Sequence, residues 1–488
     1  MPLLSENAKD YLLKVDRLAQ SRKDNILCSE SGIKINGKRY YVSEQGNDDN
    51  SGLSENDSWR SLEKVNGFDF QDGDGVFFKR GDIFRGQLRL KNGVSYSAFG
   101  IGKKPCIYGS PENGADKEKW IIEDKENNIW VYYKDLPDVG LIVFNEGEKC
   151  GYKSLPSFAD GNYVVRNSPD NEIYDFHKEL NKDLMFFSKC DSELENGNPK
   201  KFAVGKLYLR CDRGNPGKVF DSIEFNIRKN VVEGAFAQNV TVDNLCIKYG
   251  GSHGVGAGWV KNFTVQNCEI GWIGGGILYY NKKNEAVRYG NAVEVYSECD
   301  GYYVKDNYIY QCYDTGITHQ QGNIGGDNTF KDVVYSGNLI EKCIWSIEYY
   351  FGNSDPEKIK RIMKNIVIEN NILRNAGEGF GTQRLTGNLS AHIMAWWFHE
   401  NNAEDFYIKN NIFDRSTHCI LQINAAKEKS LPKLTGNKFI QNKGGLFGRY
   451  GILPSGLKYD EVQTKYDDAI IELIGNMDAN KTSEIYFL

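Results

Sequence analysis

A six-residue pattern that recurs seven times after residue 240 limits the possible folds of this chain more than any other feature. Each copy has apolar residues at its first and sixth positions and Asn at its third position, its fourth, or both. The copies start at Val242, Val265, Val304, Tyr335, Ile368, Ile408 and Leu434. Successive starts differ by 23, 39, 31, 33, 40 and 26 residues. The spacing therefore indicates one coil of about 23 residues with loops of variable length.

Such a repeat is typical of a solenoid, because the short strands of one coil cannot bury their inner face alone and stacked coils share a core. Asn tolerates left-handed backbone at a sharp corner and can hydrogen-bond to the same Asn one coil above. The pattern predicts an all-β, single-stranded, right-handed parallel β-helix with an Asn column at one corner. Cys312 and Cys343 each lie eight residues after a motif start, so we expect them to stack inside. Leucine-rich repeats match poorly, because the leucine spacing is absent.

The remaining segments divide the chain into five parts. Residues 5–22 suggest an amphipathic helix with Leu12, Val15 and Ala19 on one stripe. Segments 129–133 and 206–210 are typical of ordinary antiparallel strands, 459–475 of a closing helix, and 485–488 of a last strand. We expect an N-terminal helical cap at 1–37, first β-helix coils at 38–110, an inserted β-rich region flanking the cleft at 111–225, the main parallel β-helix at 226–450, and a C-terminal cap at 451–488.

Composition limits the partners. The net charge of −6 argues against a general nucleic-acid surface, which needs a basic excess. No stretch approaches the ~20 apolar residues of a membrane span. The first ten residues lack the basic start and apolar run of a secretory signal, which favours a cytoplasmic protein or a secreted one already trimmed. We expect a monomer or small homo-oligomer.

The cysteines point to free thiols. Eleven is an odd number, and no C-x-x-C pair occurs among them. A disulfide framework or zinc site is therefore not expected. All eleven should be unpaired.

Several segments resemble bacterial right-handed parallel β-helix carbohydrate-active enzymes, the pectate-lyase-like superfamily with its glycoside hydrolase members. The resemblance covers roughly residues 38–450. It rests on segments 40–43, 46–52, 59–62, 73–74, 77–82, 85–87, 207–209, 214–216, 249–251, 290–294, 314–320, 383–384 with His392, and 410–413. It implies the β-helix fold and a carbohydrate substrate. It is much less specific for the reaction, because the superfamily includes glycoside hydrolases, polysaccharide lyases and esterases. Its members mostly act outside the cytoplasm.

Ionisable residues recur on strands expected to be neighbours. The segments after Gly290, Asp314, Trp345 and Gly379 should be equivalent strands of four successive coils. The predicted catalytic residues are Glu294, Asp314, Glu348 and His319, and the predicted substrate-binding residues are Glu378, Gln383, Arg384, His392 and Trp396. Glycosidic hydrolysis needs one protonated and one ionised carboxyl. Side chains one coil apart, such as Asp314 and Glu348, would lie ~5 Å apart and suit retention, whereas Glu294 and Glu348 at ~10 Å would suit inversion.

Structural roles compete with each of these assignments. Glu294 and Glu348 can be solvated surface charges, and Asp314 can cap a turn. His319 can be a satisfied core histidine, and Arg384 can simply neutralise Glu378. At least one residue of the aromatic run 396–398 should be core. The acidic segment 46–52 suggests a calcium loop only weakly, because it lacks the spacing of a helix-loop-helix site. No cofactor is otherwise expected.

The leading hypothesis for function is a glycoside hydrolase acting on a poly- or oligosaccharide. A lyase for a uronate-containing glycan is the first alternative, although no basic cluster stands out in the strands. A non-catalytic glycan-binding β-helix is the second. The sequence contains no phosphate loop, Rossmann fingerprint, His-Glu-x-x-His pair or Gly-x-Ser-x-Gly elbow, which disfavours nucleotide, zinc-hydrolase and serine-esterase chemistry.

Overall fold

The fold is a right-handed parallel β-helix, seen in a computed structural model. The structure describes residues 8–190, 194–195, 198–199, 204–322, 325–352, 355, 357–385, 389–395, 402–425, 427–452, 464–465, 478, 480 and 482–488. Each complete coil contributes three strands that run in parallel with those of the coils before and after it. The chain therefore winds in one direction around a single core.

Two sheets make up the wall of the β-helix. The long sheet has 18 strands and covers two sides of the coil, because two of its strands bend around the corner between them. Its strands are Arg39–Val42, Gly75–Lys79, Leu88–Arg89, Ser95–Phe99, Val232–Ala235, Gln238–Asp243, Val255–Gln266, Val293–Lys305, Thr315–Gln321, Asn328–Ser336, Trp345–Phe351, Arg361–Glu369, Ala391–Ala395, Ala403–Lys409, Cys419–Ala425, Lys433–Thr435, Leu446–Ile452 and Thr464–Lys465.

The second sheet has 13 strands and forms the third side. Its strands are Ile83–Arg85, Cys106–Tyr108, Val139–Phe144, Lys149–Cys150, Ile223–Ile227, Cys246–Gly250, Glu269–Ile273, Tyr308–Cys312, Leu339–Glu341, Ile372–Ala376, Ile412–Ser416, Lys438–Gln441 and Glu484–Phe487. The first coils continue directly into the main β-helix, since Cys106 pairs with Cys246. The expected last strand, 485–488, corresponds to Glu484–Phe487, which belongs to this sheet.

The predicted register of the seven motifs is confirmed. Their first residues pair from coil to coil in one column, from Val242 to Leu434. The third residue of every copy forms the corner and adopts positive φ. It comes directly before the position at which the asparagines stack. The corner residues are Asn244, Asn267, Asp306, Gly337, Asn370, Asn410 and Gly436. These are the residue types that best tolerate left-handed backbone.

The next position carries a buried ladder of asparagines, as predicted. Asn338 donates its backbone N–H and its Nδ2 to Asn371 Oδ1, at 3.0 and 2.9 Å. Asn371 makes the same pair of bonds to Asn411, and Asn411 to Asn437. Each amide also caps a backbone carbonyl of the preceding corner. The ladder satisfies polar groups that the corner would otherwise bury unpaired.

The core is one continuous apolar column inside the coils. Cys312 and Cys343 lie in it, fully buried, as their spacing predicted. No disulfide joins any two of the eleven cysteines in the structure. The expectation of free thiols stays a prediction.

The helices are short except at the N-terminus. They are Ala8–Cys28, Leu62–Gly67, Phe176–Glu179 and Pro216–Val219, with 3₁₀ turns at Glu55–Asp57, Lys117–Lys119, Asn145–Gly147, Phe380–Gln383 and Glu428–Ser430. Val15 and Ala19 are buried as predicted, but they pack against Tyr308, Leu339 and other outward residues of the second sheet. The helix therefore covers a side of the stack, and the expected cap over its end is wrong. None of the described helices is long and apolar enough to cross a lipid bilayer.

The insertion forms its own sheet beside the β-helix. Its strands are Trp120–Asp124, Ile129–Tyr132, Tyr152–Lys153, Met185–Ser188 and Leu207–Arg210. The two predicted segments pair antiparallel, with Tyr208 opposite Val131. Two-stranded pairs complete the region: Leu136–Pro137 with Val204–Gly205, Ser157–Ala159 with Asn162–Val164, and Leu194–Glu195 with Asn198–Pro199.

The closing helix expected at 459–475 falls mostly outside the described residues. Within that range the structure describes Thr464 and Lys465, which form a short strand. Thr464 pairs antiparallel with Gly448 at the edge of the long sheet, so the helix prediction is wrong at these two positions. Edge pairing there satisfies backbone groups that a helix would leave exposed at the sheet.

Candidate functional site

Three neighbouring strands of the long sheet form the floor of a pocket of about 640 Å³. Glu294 pairs with Thr318, and Thr318 pairs with Glu348, so the two glutamates point outward from the same column. Two strand spacings separate them, or ~10 Å between their backbones. A pocket of this size is within the ordinary range for small-ligand sites.

Glu294 is surrounded by hydrogen-bond donors. Its Oε2 accepts from Asn291 Nδ2 at 2.5 Å and from Gln320 Nε2 at 3.1 Å. His253 Nδ1 accepts the backbone N–H of Asn291 at 3.2 Å and lies 3.1 Å from the same oxygen, as a neighbour of the carboxyl and not as one of its donors. The side-chain amides of Asn291 and Gln320 thus hold the Glu294 carboxyl in place on the floor of the pocket.

Glu348 lies at the other end of the column and is nearly fully buried, at 5% exposure. Its Oε2 accepts the hydroxyl of Thr315 at 3.0 Å. Tyr350 stands beside it on the same strand and lines the pocket. Burial raises the pKa of the Tyr350 hydroxyl, and the charge of Glu348 raises it further.

Asp314 and Arg384 form an ion pair at the edge of the pocket. Asp314 also accepts the backbone N–H of Gly290 at 3.2 Å. The Arg384 guanidinium lies between the rings of Tyr313 and Trp345, 4.8 Å from each centroid. Burial lowers the pKa of this guanidinium. Asp314 therefore supplies the counter-charge that a buried cation needs.

A β-hairpin that we call the pocket hairpin, Gly276–Tyr280 with Ala286–Tyr289, forms one wall. It contributes Leu278, Tyr279 and Tyr289, among others, to the lining. Its base is tied to the insertion by Arg288, which donates to the carbonyl of Gly140 at 2.7 Å. The insertion thus holds a wall of the pocket.

A second tie involves a buried ion pair between Lys153 and Asp138, both in the insertion. Asp138 Oδ2 accepts the backbone N–H of Ile277 in the pocket hairpin at 2.7 Å. Both charged groups are nearly inaccessible to water, so each needs the other as its counter-charge. The ion pair therefore holds Asp138 in the position from which it binds the hairpin.

Two predicted histidines are placed in the interior, which corrects their assignment. His319 follows Thr318, so the alternation of the strand turns its ring inward, where Nδ1 lies 2.7 Å from the hydroxyl of Tyr335. Burial lowers the pKa of His319 to about 3. His392 is also fully buried, with Nε2 2.9 Å from the carbonyl of Arg415, and burial lowers its pKa to about 4. Neither ring reaches the pocket.

The segment after Gly379 also differs from its prediction. It forms a 3₁₀ turn, and the fourth equivalent strand is Ala391–Ala395. Arg384 still reaches the pocket from this turn, whereas Gln383 bonds the carbonyl of Gly151 at 2.9 Å and Glu378 is exposed outside the lining. Trp396, with the aromatic run 396–398, lies outside the described residues.

Several lining residues were not predicted from sequence. They are His253, Asn291, Tyr289, Tyr296, Gln320, Trp345 and Tyr350, together with the apolar residues of the pocket hairpin. The outward alternation of the three floor strands would have found Gln320 and Tyr350, once their register was known. His253 lies in a corner without strand periodicity, and sequence spacing carried no signal for it.

Among the described residues, no group of three or more His, Cys, Asp and Glu side chains is arranged to hold a metal ion. In the acidic segment 46–52, Asp48 accepts the backbone N–H groups of Arg60 and Ser61 at 2.8 and 3.0 Å. That carboxylate therefore closes a turn. The expectation that no cofactor is needed stays a prediction.

No protein-family model matches the sequence, and no curated protein matches it. Among solved structures, a glycoside hydrolase shares 9% identity with a TM-score of 0.46, covering 85% of this chain and 94% of that one. A complex of XylC with xylose shares 10% identity with a TM-score of 0.41, covering 92% and 82%. The GH136 lacto-N-biosidase from Eubacterium ramulus shares 12% identity with a TM-score of 0.39, covering 93% and 68%. The likeness concerns the β-helix fold.

Proposed function

We propose that this protein is a glycoside hydrolase that cleaves a poly- or oligosaccharide in the pocket above Glu294 and Glu348. The observation that carries the proposal is the pair of glutamates in one outward column, two strands apart, at the bottom of an aromatic-lined pocket. Hydrolysis of a glycosidic bond needs two such carboxyls on opposite sides of the bond.

The surroundings of the two glutamates favour different roles. The amides of Asn291 and Gln320 fix the Glu294 carboxyl by hydrogen bonds to its Oε2, which suits a general base that must be held in position to take a proton from water. Glu348 then acts as the acid. Water bonds to the anomeric carbon and gives a proton to Glu294, while Glu348 protonates the departing glycosidic oxygen. A separation of ~10 Å between backbones leaves room for water between the carboxyls and favours inversion.

Asp314 and Arg384 have a binding role in this proposal. The Asp314 carboxylate is engaged by the Arg384 guanidinium in an ion pair at the edge of the pocket. Carboxylate oxygens and a guanidinium can accept from and donate to sugar hydroxyls. The pair therefore orients the substrate beside the two glutamates.

The test begins with a search for an active substrate among aryl glycosides and oligosaccharides, followed by assays of Glu294→Gln and Glu348→Gln. Each should lose 10²–10⁴-fold in kcat, the usual contribution of acid–base catalysis. An aryl glycoside with an acidic phenol needs no protonation to leave, so Glu348→Gln should recover on it and Glu294→Gln should not. The first-formed anomer, read by NMR, should be inverted.

The matched control is Glu233→Gln. Glu233 lies in the same column, since it pairs with Gly256 and Gly256 pairs with Glu294, but it is outside the pocket lining. It should keep wild-type turnover. Full activity in both pocket variants would contradict the assignment, and an unsaturated product absorbing in the near ultraviolet would identify a lyase instead.

A further inference from the structure

Two large aromatic side chains stand exposed on successive coils near the pocket. Phe236 is 58% exposed and Trp259 is 49% exposed. Their rings stack on each other, with centroids 5.0 Å apart and planes 15° apart. Single exposed apolar residues are common on protein surfaces, but a stacked pair forms a continuous apolar patch, and such patches mark binding surfaces.

The backbone at both positions is unusual for aromatic residues. Phe236 has φ +61° and Trp259 has φ +52°, in the left-handed region that bulky side chains rarely adopt. The neighbouring corner of the same two coils uses Asn239 and Asn262, with φ +54° and +49°. The chain thus keeps aromatic rings at positions where glycine or asparagine would be easier. Two buried aromatic residues, Tyr249 and Trp272, adopt the same backbone at another corner of these coils, so the exposure of the stacked pair is what points to binding.

The two rings continue the pocket toward the N-terminal coils. Gly258, which precedes Trp259, pairs with Tyr296, and Tyr296 lines the pocket two residues after Glu294 on the same strand. Tyr296 is itself 39% exposed. The outward position beside it is Gly258 in the preceding coil and Ala235 in the one before. These small residues place no bulky side chain beside the aromatic rings.

We infer that Phe236, Trp259 and Tyr296, the aromatic strip, bind sugar rings of a glycan that extends from the pocket over the preceding coils. The apolar face of a pyranose packs on an aromatic ring, and the strip adds ~10 Å of such surface over two strand spacings. The inference rests on the proposed function and deepens it: the substrate class is a chain of several sugar units that occupies the strip and the pocket together.

The experiment compares Trp259→Ala and Phe236→Ala with the wild type on two substrates of the same linkage. One is an aryl glycoside that fills only the pocket, and the other is a long oligosaccharide. Each variant should lose about tenfold more kcat/KM on the oligosaccharide than on the aryl glycoside, the factor that ~1.4 kcal/mol of lost stacking produces. Tyr133→Ala is the control, an aromatic that is 44% exposed on the insertion and outside the lining of the pocket. It should leave that ratio unchanged.

A binding measurement distinguishes an error in the inference about the aromatic strip from an error in the proposed function. If the wild type cleaves no glycan, the proposed function fails, and retardation of the intact protein in gels containing soluble polysaccharides then tests the strip alone. Weaker retardation of Trp259→Ala supports it. Equal retardation, or an equal loss on short and long substrates, overturns it. A wild-type dimer in sedimentation that Trp259→Ala dissociates, without any change in glycan binding, also overturns it and identifies a protein interface.

Discussion

Replacing Asn371 by alanine should strongly destabilise the β-helix, because this side chain is a central rung of the Asn ladder. It is buried at 1% exposure and makes four hydrogen bonds. Its Oδ1 accepts the backbone N–H and Nδ2 of Asn338, and its Nδ2 donates to the carbonyl of Tyr335 and to Asn411 Oδ1. Alanine removes all four at once.

The magnitude follows from the groups left behind. The two N–H donors of Asn338 lose their shared acceptor inside the stack, and each buried unsatisfied donor costs about 1–3 kcal/mol. Asn411 Oδ1 is less affected, since it still accepts the backbone N–H of residue 371 at 3.0 Å. The free energy of unfolding should therefore fall by about 2–6 kcal/mol.

Urea unfolding followed by far-ultraviolet circular dichroism measures this loss. The control is Asn365→Gly on the same coil, which removes an exposed hydrogen bond to Asp332 at a φ of +55° that glycine adopts without strain. The control should change the free energy of unfolding by less than about 0.5 kcal/mol. If Asn371→Ala were as mild as the control, the ladder would not stabilise the corner and this account of the repeat would be refuted.

Three further predictions concern the insertion, the interior histidine and the thiols. Lys153→Met leaves Asp138 charged and buried, so the protein should lose about 3–5 kcal/mol of stability, seen in thermal denaturation, and KM should rise as the pocket hairpin loosens; an unchanged melting temperature would speak against the tie. Burial gives His319 a pKa of about 3 in the folded protein, against 6.5 for a histidine exposed to water, so stability should fall as the pH drops below 6.5 and continue falling toward 3. His319→Gln should show a shallower fall in urea midpoints between pH 7 and 4.5, and parallel curves would contradict this. Thiol titration in denaturant without reductant should return all eleven cysteines, and markedly fewer would indicate disulfides.

The repeat could be predicted because the same local backbone and hydrogen-bonding requirements recur in each of its seven copies. Each copy needs a left-handed corner and a buried amide, and few residue types supply them, so Asn371 and its equivalents are readable in the sequence. The same register placed Glu294 and Glu348 in one outward column. Between copies the chain lacks this restriction, which is why the prediction was wrong for the strand after Gly379 and, within 459–475, at Thr464 and Lys465.

The site shows the limit of such reasoning at single residues. His319 and Thr318 are adjacent, and only the register decides which of them faces outward. Arg384 reaches the pocket from a turn whose path depends on packing against Tyr313 and Trp345. His253 lies at a corner of the coil that precedes the one with Glu294. Strand periodicity does not predict the direction of a side chain at a corner.

The sequence by itself determined the parallel β-helix, its Asn corner and the column of two glutamates, because these depend on short-range rules repeated in register. Only the tertiary structure decided where the N-terminal helix lies, how the insertion holds the pocket hairpin, and which ionisable groups share the pocket. Those arrangements bring together residues such as Asp138 and Ile277, which are 139 positions apart. Contacts over that distance depend on the packing of whole elements, and no local pattern records them.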